Sequence, residues 1–189
     1  MSTPVSTWQP RDWASRMSMV VDVAGGRGRL LATILESNRN LRGVLFDLPH
    51  VVAEARQLIH DAGVGDRCTL VSGDFFETVP EGGDAYILRN IIHDWQDDRA
   101  IAILATCRRA MANDARLILV ERYVAEDPRE APLVHHADLE ILVNVGGMER
   151  TTDEYAELLE RSGFRLTRTI SLGQAPEAQG HQLIEGEPV

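Results

Sequence analysis

The stretch Met19-Val-Val-Asp-Val-Ala-Gly-Gly-Arg-Gly28 joins a β-branched apolar run to a glycine-rich turn. The run predicts a buried β-strand, and the glycines permit a sharp turn that a ligand can approach where a Cβ atom would clash. Residues 29–36 follow with amphipathic spacing and predict a helix. This order is typical of a nucleotide or nucleoside site, although an ordinary strand-to-helix turn would give the same pattern.

Short β-branched runs alternate with longer amphipathic stretches along the rest of the chain. Further strands are predicted at 44–47, 68–71, 85–88, 116–121, 164–170 and 181–185, and helices at 51–62, 100–111, 133–143 and 153–162. The alternation predicts an α/β fold, a Rossmann-like, doubly wound, mostly parallel sheet of seven strands with helices on both faces. Ligands bind such sheets outside the carboxyl ends of the strands, so the residues that follow each strand are the candidate site.

The composition indicates one folded domain. Of 189 residues, 44% are hydrophobic and 25% are charged, which favours a packed core over disorder. Residues 1–17, rich in Ser, Thr, Pro and Trp, are expected to form a lead or linker, and residues 18–189 the domain itself.

Charge and cysteine content exclude several classes of function. The net charge of −10 would repel a phosphate backbone, so no nucleic-acid partner is expected. The sequence has neither a membrane-length apolar run nor a basic-then-apolar leader, so neither membrane insertion nor export is expected. Cys68 and Cys107 make neither a disulfide framework nor a zinc cluster, which suits a cytoplasmic location.

Acidic residues stand at the carboxyl ends of the second and third predicted strands. Asp47 ends the second strand, where a carboxylate can accept hydrogen bonds from a ribose diol. Asp74 and Phe75 follow the third strand and suit the amino group and the face of an adenine. Either acid alone would more simply cap a helix, but both acids behind a glycine loop favour a nucleoside.

The glycine loop lacks the features of phosphate binding. A G-x-G-x-x-G fingerprint starting at Gly26 would need glycine where Leu31 stands, and no Gly-Lys-Ser/Thr tripeptide occurs. Asp22, just before the loop, would repel a pyrophosphate but could support a cationic amino-acid group, directly or through water. This combination points to S-adenosylmethionine, whose sulfonium and ammonium groups are both positive.

A histidine and two acids follow the later strands. His93 stands just after the fourth strand, and its neutral imidazole could take a proton from a phenol-like hydroxyl. Glu121 ends the fifth strand and could fix the imidazole tautomer, and Glu149 precedes a predicted helix. Each has a simpler interpretation. His93 could be a capping or core histidine, Glu121 a solvated residue at a strand end, and Glu149 a carboxylate in the first turn of a helix.

Five motifs together resemble the class I S-adenosylmethionine-dependent small-molecule O-methyltransferases, the caffeic-acid-type plant enzymes and their bacterial polyketide and carotenoid relatives. They are Asp22-Val-Ala-Gly-Gly-Arg-Gly28, Phe46-Asp-Leu-Pro-His50, Gly73-Asp-Phe-Phe76, Ile91-Ile-His-Asp-Trp95 and Gly146-Gly-Met-Glu-Arg-Thr151. The resemblance runs in order from about Asp12 to Glu185, and it covers the catalytic domain of the family.

The resemblance implies a role for particular residues. His93 matches the general base, and Glu121 and Glu149 match the carboxylates that flank it. With the strand-end acids, the residues expected to bind S-adenosylmethionine are Asp22, Gly25, Gly26, Gly28, Asp47, Leu48, Asp74, Phe75 and Arg89. Asn144, Met148 and Trp95 are expected to contact the acceptor, a small hydroxylated aromatic or polyketide-like molecule, and no metal is expected.

The chain departs from the family pattern in two ways. Ala24 replaces the first glycine that is common in the family loop, a change expected to be tolerated. Relatives usually carry a helical N-terminal domain that builds the dimer and a wall of the substrate pocket, and here it is expected to be absent, in a fragment or a minimal form. Homodimerisation and acceptor binding depend on that domain.

Three functions therefore stay open. The first is methyl transfer to a hydroxyl of a small aromatic or polyketide-like acceptor. The second is a cofactor-binding remnant without activity, and the third is a relative that uses the sulfonium in another reaction. His93 with Glu121 favours the first, because a member that lost methyl transfer would be expected to lose its base.

Overall fold

The computed structural model describes residues 17–122, 146–172 and 180–189. In these ranges, seven strands form one sheet in the order β3-β2-β1-β4-β5-β7-β6. The strands are β1 (Met19–Val23), β2 (Arg42–Asp47), β3 (Cys68–Ser72), β4 (Ala85–Arg89), β5 (Arg116–Arg122), β6 (Phe164–Ser171) and β7 (His181–Pro188). The first five pair in parallel, and β7 runs antiparallel to both β5 and β6.

Four α-helices occur in the described part of the chain: α1 (Arg29–Ser37), α2 (Pro49–Asp61), α3 (Asp97–Ala110) and α4 (Thr152–Arg161). Three of them begin before the positions predicted from sequence, α2 by two residues, α3 by three and α4 by one. Pro49 suits the first turn of α2 because that position needs no N–H donor, and Asp97 and Asp98 favour the positive end of α3.

Helices cover both faces of the sheet because strand residues alternate between two cores. Val21 of β1 packs in a cluster with residues of α3 and α4, whereas its neighbour Val20 packs with residues of α1 and α2. The same alternation separates Leu117 from Ile118 in β5. The predicted doubly wound, mostly parallel seven-stranded sheet is confirmed.

Three predicted segments lie outside the described residues. They are most of the lead at 1–17, the helix at 133–143, and Asn144. None of the described helices has the length and hydropathy that a membrane crossing requires.

Candidate active site

The glycine loop brings β1 and β2 together at their carboxyl ends. A Cβ atom on Gly25 would lie 2.4 Å from Leu45 Cδ1 and 2.5 Å from Asp22 Oδ2, so only glycine fits between them. The Gly26 N–H donates to Asp47 Oδ2 at 2.8 Å. Gly28 then takes a left-handed conformation (φ 79°), and α1 begins at the next residue.

Asp22 is a buried carboxylate beneath this loop. It is 2% exposed, and its Oδ2 atom has no hydrogen-bond partner within the described residues. Burial, reinforced by the charge of Asp47 and partly offset by Arg89, raises the pKa of Asp22 to about 7. A carboxylate in this position would be stabilised by a positively charged ligand.

A cleft of about 400 Å³ opens over Asp22. Three guanidinium groups stand on its walls with this single carboxylate. The lining residues are Asp22, Ala24, Gly25, Gly26, Arg27, Arg29, Leu30, Arg89 and Asn90. Charges of both signs around one opening suit a zwitterion, with its ammonium toward the acid and its carboxylate toward the arginines. Sequence reasoning selected Arg89 but missed Arg27 and Arg29.

Two further predicted cofactor residues hold backbone N–H groups. Besides the Gly26 contact, Asp47 accepts the Leu48 N–H at 2.7 Å, and Asp74 accepts the Phe76 N–H at 2.8 Å. Leu48, 43% exposed, precedes α2, and no side-chain hydrogen bond caps that helix. The simpler interpretation of Asp47 as a helix cap is therefore wrong. Because a carboxylate oxygen has two lone pairs, an oxygen that accepts one hydrogen bond keeps further acceptor capacity.

An aromatic cluster joins the loop after β3 to the loop after β4. The Trp95 ring meets Phe76 edge-on, with centroids 4.9 Å apart, and Phe75 at 6.1 Å. The Arg99 guanidinium covers the Phe76 ring at 3.7 Å. Trp95 thus packs against Phe75, the predicted adenine contact, and its predicted contact with the acceptor stays a prediction.

His93 lies in a single 3₁₀ turn (Ile92–Asp94) after β4, and its side chain is 10% exposed. Its Nδ1 atom is 3.2 Å from Glu149 Oε1, while Nε2 is 3.5 Å from Asp94 Oδ1. Burial lowers the pKa of His93, but the Glu149 hydrogen bond and the charges of Glu121, Glu149 and Asp94 outweigh burial and raise it above 6.5. Both carboxylates predicted to flank His93 lie near its ring, but Glu149, and not Glu121 as expected, is within hydrogen-bonding distance of an imidazole nitrogen.

Glu121 approaches the same imidazole from β5 but mainly holds the loop. Its Oε1 atom accepts the N–H groups of Ile91 and Ile92 at 3.0 and 2.9 Å. Its Oε2 atom lies 3.9 Å from His93 Nδ1 and makes no hydrogen bond among the described residues. Burial raises the pKa of Glu121 to about 7, against the lowering effects of His93 and the two N–H groups.

The two halves of the site meet at the end of β4. Asn90 lines the cleft, holds a left-handed backbone (φ 54°), and binds His181 of β7 through its side chain at 3.0 Å. His93 follows three residues later but does not itself line the cleft. Met148, predicted to contact the acceptor, is half-buried and donates its N–H to the His93 carbonyl at 2.8 Å.

A glycine cleft that carries a buried acid, beside a histidine paired with a carboxylate, suits a positively charged ligand and the acceptance of a proton. A family model described as the O-methyltransferase domain matches residues 9–165, and the chain belongs to that family.

Comparisons with known proteins agree with this assignment. The chain is 43% identical over 162 residues to a mitomycin biosynthesis 6-O-methyltransferase from Streptomyces lavendulae, covering 86% of this chain and 46% of the relative. The solved structure of the mitomycin 7-O-methyltransferase MmcR superposes with a TM-score of 0.87 at 39% identity, over 94% of this chain and 50% of that one.

A further solved structure contains ligands. It is the O-methyltransferase NcsB1 from neocarzinostatin biosynthesis, in complex with S-adenosylmethionine and 2-hydroxy-5-methyl naphthoic acid. It is 29% identical, with a TM-score of 0.84, and the match covers 95% of this chain and 51% of that chain. The chain thus spans about half the length of these relatives.

Proposed function

We propose that this chain binds S-adenosylmethionine and transfers its methyl group to a hydroxyl of a small aromatic or polyketide-like acceptor. The observation that carries the proposal is the buried pair of His93 and Glu149, whose histidine lies on the loop that leaves the cleft above Asp22. The His93 imidazole can accept a proton, and the Asp22 carboxylate under the cleft complements positive charge. Methyl transfer from a sulfonium to a hydroxyl needs both.

The cleft residues fit the methionine part of this cofactor. The Asp22 oxygen without a partner would accept from the ammonium group, and Gly25 leaves the backbone open to close approach. Arg27, Arg29 and Arg89 offer cations to the carboxylate. Asp47 and Asp74, which each keep acceptor capacity, are proposed for the ribose and the adenine.

When bound, S-adenosylmethionine supplies a methyl group activated by the positive sulfur. The protein then has to align an oxygen and remove one proton. With Nδ1–H donating to Glu149, the lone pair of His93 lies on Nε2 and can accept the hydroxyl proton. Glu149 and Glu121 stabilise the imidazolium that forms, and such a base contributes roughly 10²–10⁴-fold in rate.

This role of His93 sets the direction of the pH dependence. An imidazolium cannot accept a proton, so turnover should rise with pH through the raised pKa of His93, which lies above 6.5. A hydroxyl acceptor of pKa near 10 is still mostly neutral in this range, so the base keeps its value.

Turnover on a panel of hydroxylated aromatics, including hydroxynaphthoic acids, tests the proposal. His93→Gln should lower kcat by about 10²–10⁴-fold with little change in cofactor affinity. His60→Gln is the matched control, since the side chain of His60 on α2 is 84% exposed and far from the site in sequence. A His93→Gln protein as active as the wild type would contradict the base assignment.

Calorimetry with S-adenosylmethionine separates this proposal from its alternatives. Binding together with methylation supports it, whereas binding without turnover on any acceptor supports a cofactor-binding remnant. Consumption of an acceptor without methylated product would support another reaction that uses the sulfonium. Absence of binding would contradict all three.

Residues 18–189 are proposed to form the catalytic unit, with homodimerisation and part of acceptor binding supplied by a helical domain of the kind found in the family. Light scattering of residues 1–189 measures whether they associate by themselves. A cytoplasmic location is also proposed, and free thiols at Cys68 and Cys107 support it.

A further inference from the structure

The Arg150 side chain, next to Glu149, is 1% exposed, and all five of its N–H donors have acceptors. Nε and Nη2 donate to Asp97 Oδ1 at 3.1 and 2.8 Å, and Nη2 also reaches the Trp95 carbonyl at 2.7 Å. Nη1 donates to the carbonyls of Ile92 and Met148 at 3.1 and 3.4 Å. A lysine, with one ammonium group, could not satisfy acceptors on three sides.

These contacts join two segments that are distant in sequence. Residues 92–97 carry the base, and residues 146–150 carry its carboxylate partner; we call the two together the base clamp. Within it, Gln96 also donates to the Gly146 carbonyl. Gly147 leaves no room for a side chain, since a Cβ atom there would lie 2.0 Å from the His93 carbonyl oxygen.

We propose that Arg150 is the positioning residue of the base clamp, which fixes the carbonyls of Ile92 and Trp95 so that His93 Nδ1 meets Glu149. This inference rests on the proposed function in so far as His93 is the base. Arg150 itself touches neither the imidazole nor the cleft, and it acts through the two segments that it joins.

The charges around His93 determine in which direction its pKa should change when Arg150 is removed. Asp94 on its own turn, Glu121 on β5 and Glu149 face the ring, and Tyr155 of α4 lies near the two glutamates. If Arg150 acted only as a nearby cation, its removal would raise the pKa of His93 or leave it unchanged. If Arg150 holds His93 against Glu149, its removal loses that hydrogen bond and lowers the pKa.

The test compares Arg150→Met with the wild type in the whole chain, with ¹⁵N-labelled histidine followed by NMR across pH. His93→Gln identifies the His93 signal among six histidines. In R150M we expect a lower His93 pKa, a smaller population of the Nδ1–H tautomer, and partial recovery of both when guanidinium ion is added. In turnover, kcat should fall roughly 10- to 100-fold, part of what a positioned base contributes, while cofactor affinity changes less than about threefold.

Arg67→Met is the matched control. Arg67 also binds three backbone carbonyls, those of Leu35, Asn38 and Leu41, but at the far end of α1. The Arg67→Met substitution should lower the melting temperature without changing the pKa or the tautomer of His93. If R150M leaves both unchanged, or if R67M shifts them equally, the inference is wrong.

If R150M does not fold, Arg150→Lys takes its place in the test. The His93 pKa should again be lower than in the wild type, and an unchanged His93 pKa would again contradict the inference. The NMR measurement needs neither cofactor nor acceptor. A chain that transfers no methyl group therefore still decides whether Arg150 positions His93.

Discussion

Replacing Asp22 by Asn should stabilise the ligand-free protein and weaken cofactor binding at the same time. Burial and Asp47 raise the pKa of Asp22 from 3.8 to about 7. At pH 8, charging this carboxylate in the fold therefore costs about 4 kcal/mol of unfolding free energy. Removing the charge would recover this free energy, but an asparagine N–H₂ group at the unpartnered Oδ2 position would be left without an acceptor, which costs about 1–3 kcal/mol. We expect a net stabilisation of about 1–3 kcal/mol.

The pH dependence follows from the same carboxylate. Because the pKa of Asp22 is higher in the folded state, the folded protein binds the extra proton between pH 3.8 and about 7. The stability contributed by that proton is complete below this window and is lost as pH rises through it. Asp22→Asn should therefore flatten the dependence of unfolding free energy on pH between these values.

Cofactor binding should respond in the opposite sense. A cationic ammonium needs the ionised acid, so wild-type affinity should fall by up to about tenfold per pH unit below pH 7. Asp22→Asn should bind S-adenosylmethionine more weakly at pH 8 and lose that dependence. Denaturant titrations from pH 5 to 8.5 and calorimetry over the same range measure both effects. A destabilised variant that binds the cofactor as tightly as the wild type would refute the role given to Asp22.

Substitutions at four further positions give distinct outcomes. Gly147→Ala forces a Cβ atom onto the His93 carbonyl, so kcat should fall by about tenfold or more, as measured by turnover beside His60→Gln. Ala24 has φ 55°, so Ala24→Gly should relieve about 1 kcal/mol of backbone strain, and Gly26→Ala at φ 60° should add about as much; thermal melts in which both variants shift the same way would contradict this. Thr151 caps α4 in a reciprocal capping box, and Thr151→Ala should cost about 1 kcal/mol in denaturant titrations, while Thr151→Ser should cost less.

The sequence predicts the sheet well because its central strands β1, β4 and β5 are buried on both faces. Met19–Val23 matches its predicted bounds, since a β-branched run before glycine has few alternatives. Helix starts were less certain: α3 begins at Asp97, three residues before the predicted position, because its first turn is acidic and not apolar. Pattern reasoning anchors on apolar periodicity and misses such turns.

The site divides along similar lines. Sequence alone could select His93, Glu121 and Glu149 because imidazole and carboxylate side chains are common acid–base groups. The structure brings the three together. Arg150 stood in a quoted motif without a role, because most of its acceptors are backbone carbonyls. Carbonyls carry no sequence signal, and only the fold shows which of them converge. An arginine directly after Glu149, a candidate acid, is the one clue that the sequence offers.

The sheet order places the two costly acids of the site on either side of β4. Asp22 lies near the end of β1 and Glu121 near the end of β5, and burial raises the pKa of both to about 7. Burial destabilises each ionised acid more than the nearby positive groups stabilise it. A ligand ammonium would stabilise ionised Asp22, and an imidazolium at His93 would stabilise ionised Glu121. Cofactor binding at Asp22 and proton transfer to His93 would therefore each relieve the destabilisation of a buried carboxylate in the ligand-free protein, as expected of a preorganised site.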